Sequence, residues 1–590
     1  MISKSKIKKI DIGFAAGLFI GVIAVYFPAI HFSVGIFDDS SYVERLYLSN
    51  LGNLDIISYL FDPVLKLHSP FVMFSFLLDR ILWGTERLAL GLHLSNILYH
   101  AAGTVLLYFF CRKLIIPWPG SRNIFKLKLT PVWCAATAAV WAFHPQRVES
   151  VAWISERKDL LLSLFFFGIL LCWEKSWKNK KFSYLAWVLF CLSFAVKPML
   201  LMLPVIFWVW LIIKSGRYFC REHVQRLSPY ILVSVVFAGV YFFFQQVHPF
   251  SADYGSFFLR SKIIVWNIGN YFFSALLPVH LMPFYPFYSP KYYSFLPALV
   301  FPGILCAAFL FGLKNIAIRT FFLPVLLLFP VALLPVCGSV RVGNADWADR
   351  YNLIPSLFLL FVIVFTLRWL CTKVQKTHLL IYLGYSFYIL YLVMSTVNYL
   401  PCWRTLSAVK FACVTQVANP NYRIMFLHAM TAFLRNELQD AATIAGGIRE
   451  DAVCTPYDKK MIRVFHAGFG GLLQSLGRDP DAGGKKLTEL LLSDDIRYLA
   501  LISEEFIDLA VGAAAYWNLY RKNISTAIDL YIRSAEYTCM PFSREIMLIK
   551  AALLKKDIGK AEKILFELEN KSPHNPEIRS LKMQLNNLKK

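Results

Sequence analysis

Two adjacent carboxylates, Asp38 and Asp39, stand in the stretch GIFDDSSYVERL just past the first long apolar run of the chain. A carboxylate at the edge of a low-dielectric region has its pKa pushed up and can take a proton from a hydroxyl, while a second acid can orient that hydroxyl or hold a divalent metal. A solvated loop would accommodate the same pair. A second concentration lies in FHPQRVESVAWISERKDLL, residues 143–161, which crowds His144, Arg147, Glu149, Glu156, Arg157, Lys158 and Asp159 between two apolar runs. Ionisable groups at membrane depth are costly unless they pair or serve, so mutual ion pairing competes with chemistry for each of them. Arg157 and Lys158 suit phosphate, because a guanidinium offers a planar fork and an ammonium a mobile point charge. Lys197 in FAVKPMLLMLP, and Asp346, Asp349 and Arg350 in NADWADRYNLIPS, add charges from further loops. Cations converging from separate loops fit a monophosphate or diphosphate anchored in a bilayer.

The elements that must carry these residues are membrane helices. Hydrophobic residues are 57% of the 590, aromatics 16% and charged residues only 17%, so most of the surface faces lipid. The net charge of +24 would point to nucleic acid in a soluble chain. Here the basic residues cluster in short loops between apolar runs, where they set topology, and this argues against nucleic acid. The lysine-rich start followed by the apolar run Ile12 to Ile30 reads as a signal anchor and not as a cleaved signal. Further apolar runs near 90–111, 131–143, 160–173, 183–196, 199–213, 229–246, 295–312, 320–337, 353–367 and 378–397 bring the expectation to about eleven spans. The amphipathic stretch 257–280 is expected not to cross. Basic loops at 112–128, 175–181, 214–226, 314–319 and 368–376 then mark the cytoplasmic side. The acidic pair, the 144–159 loop, the Lys197 turn, the 338–352 loop and everything after residue 398 share the outer side.

The expected fold class is therefore all-α: a polytopic membrane bundle over 1–397, followed by an extracytoplasmic helical repeat domain over 398–590. Comparing YRKNISTAIDLYIRSA with LKKDIGKAEKILFELE sets Ala527 and Ala561 34 residues apart, the tetratricopeptide period. The segments with Ala441 and Ala482 look like degenerate earlier copies. Small residues recur where paired helices approach closely, and such pairs stack to bury their faces. A spacer and a docking surface both fit this region. The twelve cysteines show no metal-ligand spacing; Cys402, Cys413, Cys454 and Cys539 lie outside the long apolar runs and leave their pairing open.

FDDSSY, HSPFVMFSFLLDRILWG, LGLHLSNILYHAAGTVLLY, HPQRVESVAWISERKDLLLSLFF, KPMLLMLP, ADRYNLIPS and the helical repeats occur in an order that resembles the transmembrane and tetratricopeptide repeat glycosyltransferases and their bacterial relatives. The resemblance covers nearly the whole chain and is most specific from His144 to Asp159. It implies a membrane-embedded glycosyltransferase of the C type, moving mannose or another hexose from a polyprenyl-phosphate donor to an acceptor hydroxyl on a protein, with inversion. Asp38 or Asp39 would then be the catalytic base, Arg157, Lys158, Lys197 and Arg350 would hold the lipid phosphate, and His68, His144 and Glu149 would contact acceptor or donor sugar. No cofactor is required; a divalent ion on Asp38 and Asp39 is admitted but not implied. The family's YRPL element reads HSPF here, so a basic contact is lost or supplied by His68. Two other readings remain open at this point, glycosylation of an envelope glycan or lipid and a non-catalytic membrane-anchored repeat scaffold. A transporter is disfavoured, because the charges sit at loop ends and not at mid-membrane. The short repeat region favours a bacterial inner membrane with a periplasmic site over the lumenal face of the endoplasmic reticulum.

Overall fold

The architecture is that of a computed structural model, which describes residues 9–48, 55–61, 64, 68–119, 124–245, 256–286, 296–314, 321–337, 347–374, 378–415, 420–453, 455–476, 479–496, 504–537, 543–571 and 575–589. The N-terminal part runs through α1 (Lys9–Tyr26), α2 (Asp39–Leu48), α3 (Ile56–Phe61), α4 (Pro70–Trp83), α5 (Leu88–Lys113), α6 (Pro131–Ala142), α7 (Arg147–Ala152) and α8 (Arg157–Ser176). It continues through α9 (Lys181–Ser193), α10 (Leu203–Ser215), α11 (Arg221–Gln245), α12 (Phe257–Leu276), α13 (Leu296–Lys314), α14 (Leu323–Leu333), α15 (Ser356–Lys373) and α16 (His378–Tyr399). All eleven apolar runs read from the sequence overlap one of these helices. Among the described residues, five segments are both long and apolar enough to cross a membrane: Lys9–His31, Leu88–Lys113, Pro198–Ser215, Arg221–Val240 and His378–Trp403. The chain is an integral membrane protein.

Local chemistry explains the packing. Prolines open α4 and α6, where a missing N–H costs nothing. α1 is tied to its neighbours at both ends: Arg112 of α5 pairs with Asp11 at 2.6 Å, and the Tyr26 hydroxyl donates to the Ala142 carbonyl at 3.1 Å. α5 and α8 come close at Gly103, where a Cβ would meet the Ser163 hydroxyl at 3.3 Å. One departure from an all-helical chain is a short antiparallel hairpin in the first basic loop, β1 (Ile115–Pro119) and β2 (Ile124–Lys128), with Ile115 opposite Lys128. Its β-branched and aromatic residues favour pleated backbone over helix.

The core of the membrane part does not stop at residue 397. It takes in Leu400, Trp403, Val409, Cys413 and Ile424, because the stretch after α16 is itself apolar and folds back on the bundle. Cys402 and Cys413 are free thiols, whereas Cys454 and Cys539 lie outside the described residues.

Among the described residues the C-terminal part is built of helices: α17 (Leu406–Thr415), α18 (Tyr422–Leu434), α19 (Leu438–Gly446), α20 (Pro456–Leu476), α21 (Pro480–Leu492), α22 (Glu504–Tyr520), α23 (Ile524–Ser534), α24 (Ser543–Leu554), α25 (Ile558–Lys571) and α26 (Pro576–Lys589). α18/α19, α22/α23 and α24/α25 are each joined by a three-residue turn of one design. The central residues Asn436, Lys522 and Lys556 are left-handed, with φ of 64°, 59° and 59°. The following amides of Glu437, Asn523 and Asp557 reach back to the carbonyls of Ala432, Asn518 and Ala552 at 2.8–2.9 Å. This is the double hydrogen-bonded helix end that satisfies otherwise orphaned carbonyls. Ala441, Ala527 and Ala561 are fully buried. Ala482 is exposed, and its place in the α20–α21 contact is taken by Gly483, whose Cβ would lie 2.2 Å from the Ser475 amide nitrogen.

Candidate active site

The loop between α6 and α8 organises the site. Pro145 ends α6, α7 makes little more than one turn, and a 3-10 turn at Ile154–Glu156 leads into α8. Every residue from 137 to 163 is buried, so this charged segment is interior and not a solvated loop. Burial on this scale requires each charge to find a partner.

Glu156 is where the partners meet. Its carboxylate lies 3.3 Å from Lys158 Nζ, 3.4 Å from Arg350 Nε and 3.9 Å from Lys197 Nζ. Lys197 also donates to Asp159 at 2.7 Å, and the Arg350 guanidinium pairs closely with Glu149 while its amide donates to the same carboxylate at 2.8 Å. Three cations thus face three carboxylates. Aromatic rings complete the walls: Tyr42 lies under Lys158, Tyr351 under Lys197, and Trp153 and Tyr351 flank Arg350. Burial alone would raise Glu156, but Lys158, Arg350 and Lys197 outweigh it and hold the carboxyl down at about 2. Burial raises Glu149 in spite of Arg350.

The acidic pair abuts this cluster, and its two members have different surroundings. Asp39 is buried at the start of α2, and its carboxylate accepts from the Ile36 amide at 3.1 Å and from the Ser155 amide at 2.9 Å. Burial pushes it up to about 7 against those two bonds. Asp38 is half-buried and forms neither hydrogen bond nor ion pair among the described residues. Its carboxyl is raised by burial, opposed chiefly by Lys158. Phe37, just before it, has φ of 49°, a region costly for a bulky L-residue. The Phe37 ring is held against Phe284 and Trp153, and the Trp153 indole donates to the Ile36 carbonyl at 2.9 Å.

Of the residues given a role by the resemblance, Asp38, Asp39, Glu149, Lys158, Lys197 and Arg350 come together here. Three do not. Arg157 points into the bundle, fully buried, where it pairs with Asp79 at 2.6 Å and donates to Asn96 and the Leu92 carbonyl, both at 2.7 Å. Its guanidinium is out of reach of a lipid phosphate. His68 is exposed, with Nδ1 3.1 Å from the Phe61 carbonyl. His144 is buried and accepts from the Gln146 amide through Nδ1 at 3.3 Å, on a separate cavity described below. Asp346 lies outside the described residues. Asp349 joins Gln146 at 3.1 Å and the Tyr285 hydroxyl at 2.9 Å, and so braces the turn that presents Arg350. Among the described residues no group of three or more His, Cys, Asp or Glu side chains is gathered as metal ligands would be.

Two roles were missed by sequence reasoning. Glu156 is one acid among several in its segment, and only its meeting with Lys197 and Arg350 marks it as the hub. Asp79 carries a legible signal, an acid inside an otherwise apolar helix, which calls for a buried cation. No protein-family model matches the chain, and no curated protein matches it.

Proposed function

We propose that the protein is an integral-membrane glycosyltransferase that moves a hexose from a polyprenyl-phosphate donor to an acceptor hydroxyl of a protein on the non-cytoplasmic face. The observation that carries this reading is the Asp38 carboxylate, which has neither hydrogen bond nor ion pair among the described residues and feels the charges of Lys158 and Arg350 in the Glu156 cluster. In the reaction Asp38 takes the acceptor proton, the freed oxygen forms a bond to the anomeric carbon from the side opposite the phosphate, and the carbon–oxygen bond to phosphate breaks. The lipid phosphate leaves with the electron pair, and the anomeric centre inverts. Lys158, Lys197 and Arg350 neutralise the charge that develops on the departing phosphate, an interaction strongest in the transition state. In the donor's absence Glu156 holds these cations in place. Asp39 is a positioning residue, because both its oxygens hold backbone amides.

The same reading takes the bundle as eleven-spanning, with α12 lying along the membrane surface. It takes the paired C-terminal helices as degenerate tetratricopeptide repeats, supported by the shared turn and the buried alanines, and gives their stacked surface to the acceptor.

Purified protein incubated with radiolabelled polyprenyl-phosphate hexose and an acceptor peptide tests the proposal. Label transferred by the wild type and lost in Asp38→Asn supports it. Equal turnover in both proteins, or none in either with any hexose donor, removes the catalytic reading in favour of a repeat scaffold.

A further inference from the structure

A cavity of about 360 Å³ lies between α6, α12, α15 and α16, within the size range of small-molecule sites. Its walls are mostly hydrocarbon, with Leu360, Ile363 and Leu367 on α15 and Ile381 and Gly384 on α16. One end is polar. There Arg147, only 1% exposed, donates through Nε to the Trp141 carbonyl at 3.1 Å and through one terminal nitrogen to the Ser356 hydroxyl at 2.6 Å. Its other terminal nitrogen has no hydrogen-bond partner, and no carboxylate among the described residues pairs with it. Asp349, the acid whose charge reaches Arg147, is engaged by Gln146 and Tyr285. His144 Nε2 and the Tyr385 hydroxyl, both on the same cavity, likewise make no hydrogen bond of normal geometry.

A buried guanidinium without a counter-ion is expensive. Every other fully buried cation of the α6–α8 segment has a carboxylate partner. An anion entering the cavity would supply what Arg147 lacks, and the hydrocarbon walls select one that carries a chain. We propose that this cavity binds an anionic amphiphile, with its headgroup on Arg147 and its chain between α15 and α16. The site shares no residue with the Asp38 and Glu156 cluster and stands whether or not that cluster transfers sugar.

Delipidated full-length protein in maltoside detergent, titrated with radiolabelled dodecyl phosphate, tests the site. Saturable binding is expected, with one molecule per chain that depends on Arg147 and is distinct from any at the Glu156 cluster. Arg147→Gln should weaken it roughly tenfold to a hundredfold, as loss of a charge-assisted hydrogen bond does, while Arg147→Lys should restore part of the affinity. Gly384→Trp places a ring where a Cβ meets nothing within 4 Å and should block entry of the chain; it keeps the test decisive if Arg147→Gln does not fold. Lys197→Gln should weaken only binding at the Glu156 cluster and leave the Arg147-dependent molecule in place. Displacement by phosphatidylglycerol assigns the site to bulk acidic lipid, and resistance to it assigns the site to a phosphate monoester. Absence of saturable binding, equal competition by dodecyltrimethylammonium, or binding that neither Arg147→Gln nor Gly384→Trp weakens would overturn the proposal.

Discussion

The backbone amide of Ser155 donates a 2.9 Å hydrogen bond to the carboxylate of Asp39, which stands 116 positions earlier in the chain. This bond closes the acidic loop onto the segment that carries Glu156, and with the Ile36 amide it uses both Asp39 oxygens. Asp38 is thereby set within reach of the charges of Lys158 and Arg350, with no hydrogen bond or ion pair of its own among the described residues. The pair consequently divides into a group that holds the loop and a group that, in the proposed reaction, takes the proton.

Substituting the two acids should therefore give different losses. Asp38→Asn keeps the size of the side chain but cannot accept a proton, so transfer should fall by about a hundredfold to ten-thousandfold with an unchanged melting temperature. Asp39→Asn replaces one acceptor of a buried N–H by a donor and should cost about 1–3 kcal/mol of stability as well as activity. Transfer assays and thermal melts of both variants separate the outcomes; a melting temperature lowered equally in the two would refute the division.

Glu156 should make stability depend on acid pH. Its folded-state value of about 2 lies below the ordinary glutamate value of 4.5. The unfolded chain therefore binds the proton first, and the stabilisation is fully present above about pH 4.5 and lost as pH falls toward 2. The gap in melting temperature between wild type and Glu156→Gln should be widest near neutrality and close over that window. A gap independent of pH would show that the three cations do not converge on an ionised Glu156.

Arg157 should matter for folding and not for donor affinity. Removing one partner of its buried pair with Asp79 leaves the other charge uncompensated, so Arg157→Gln should cost about 3–5 kcal/mol. Arg157→Met combined with Asp79→Leu should recover much of that loss. Whatever folded protein remains should keep the wild-type KM for donor, whereas Lys197→Gln should raise it.

Much of this was legible in the sequence and the remainder was not, for physical reasons. Apolar runs place the helices because burial in lipid demands unbroken hydrocarbon, and all eleven overlap a helix. Lys158, Lys197 and Arg350 stand out because cations next to apolar runs are costly. Periodicity is silent on which cation meets which acid, since that depends on helix rotation. Arg157 and Lys158 are neighbours in sequence but about a third of a helical turn apart, so one enters the bundle and the other faces the cluster. Phe37 hides its left-handed backbone for a similar reason, because its ring contacts come from residues 153 and 284. The hairpin at 115–128 was missed because a short basic loop between spans gives no alternation long enough to read.

The repeated helix turns offer a stability test. Lys522 and Lys556 occupy left-handed positions that glycine fills without strain, so Lys522→Gly and Lys556→Gly should each stabilise the C-terminal helices by about 1 kcal/mol. Thermal unfolding of the full chain, followed by protease resistance of this part, reads the change. Destabilisation by either substitution would show that the lysine side chain, and not the turn, is the important feature.

Ser33 and Arg404 carry the final prediction. The amide and the hydroxyl of Ser33 both donate to the Arg404 carbonyl, at 3.0 and 3.1 Å, so the segment leaving α1 and the segment leaving α16 touch. They must share one face of the membrane, and an even number of spans must separate them. The proposed topology puts that face outside, with the lysines at 175–181 expected on the cytoplasmic side. Single cysteines introduced at Ser33 and Lys522 in a background stripped of reactive native thiols should react with an impermeant maleimide added to intact cells. One at Lys180 should react only after permeabilisation. Labelling of Lys522→Cys from the cytoplasm alone would place the repeats inside, and with them the acidic pair and the proposed transfer.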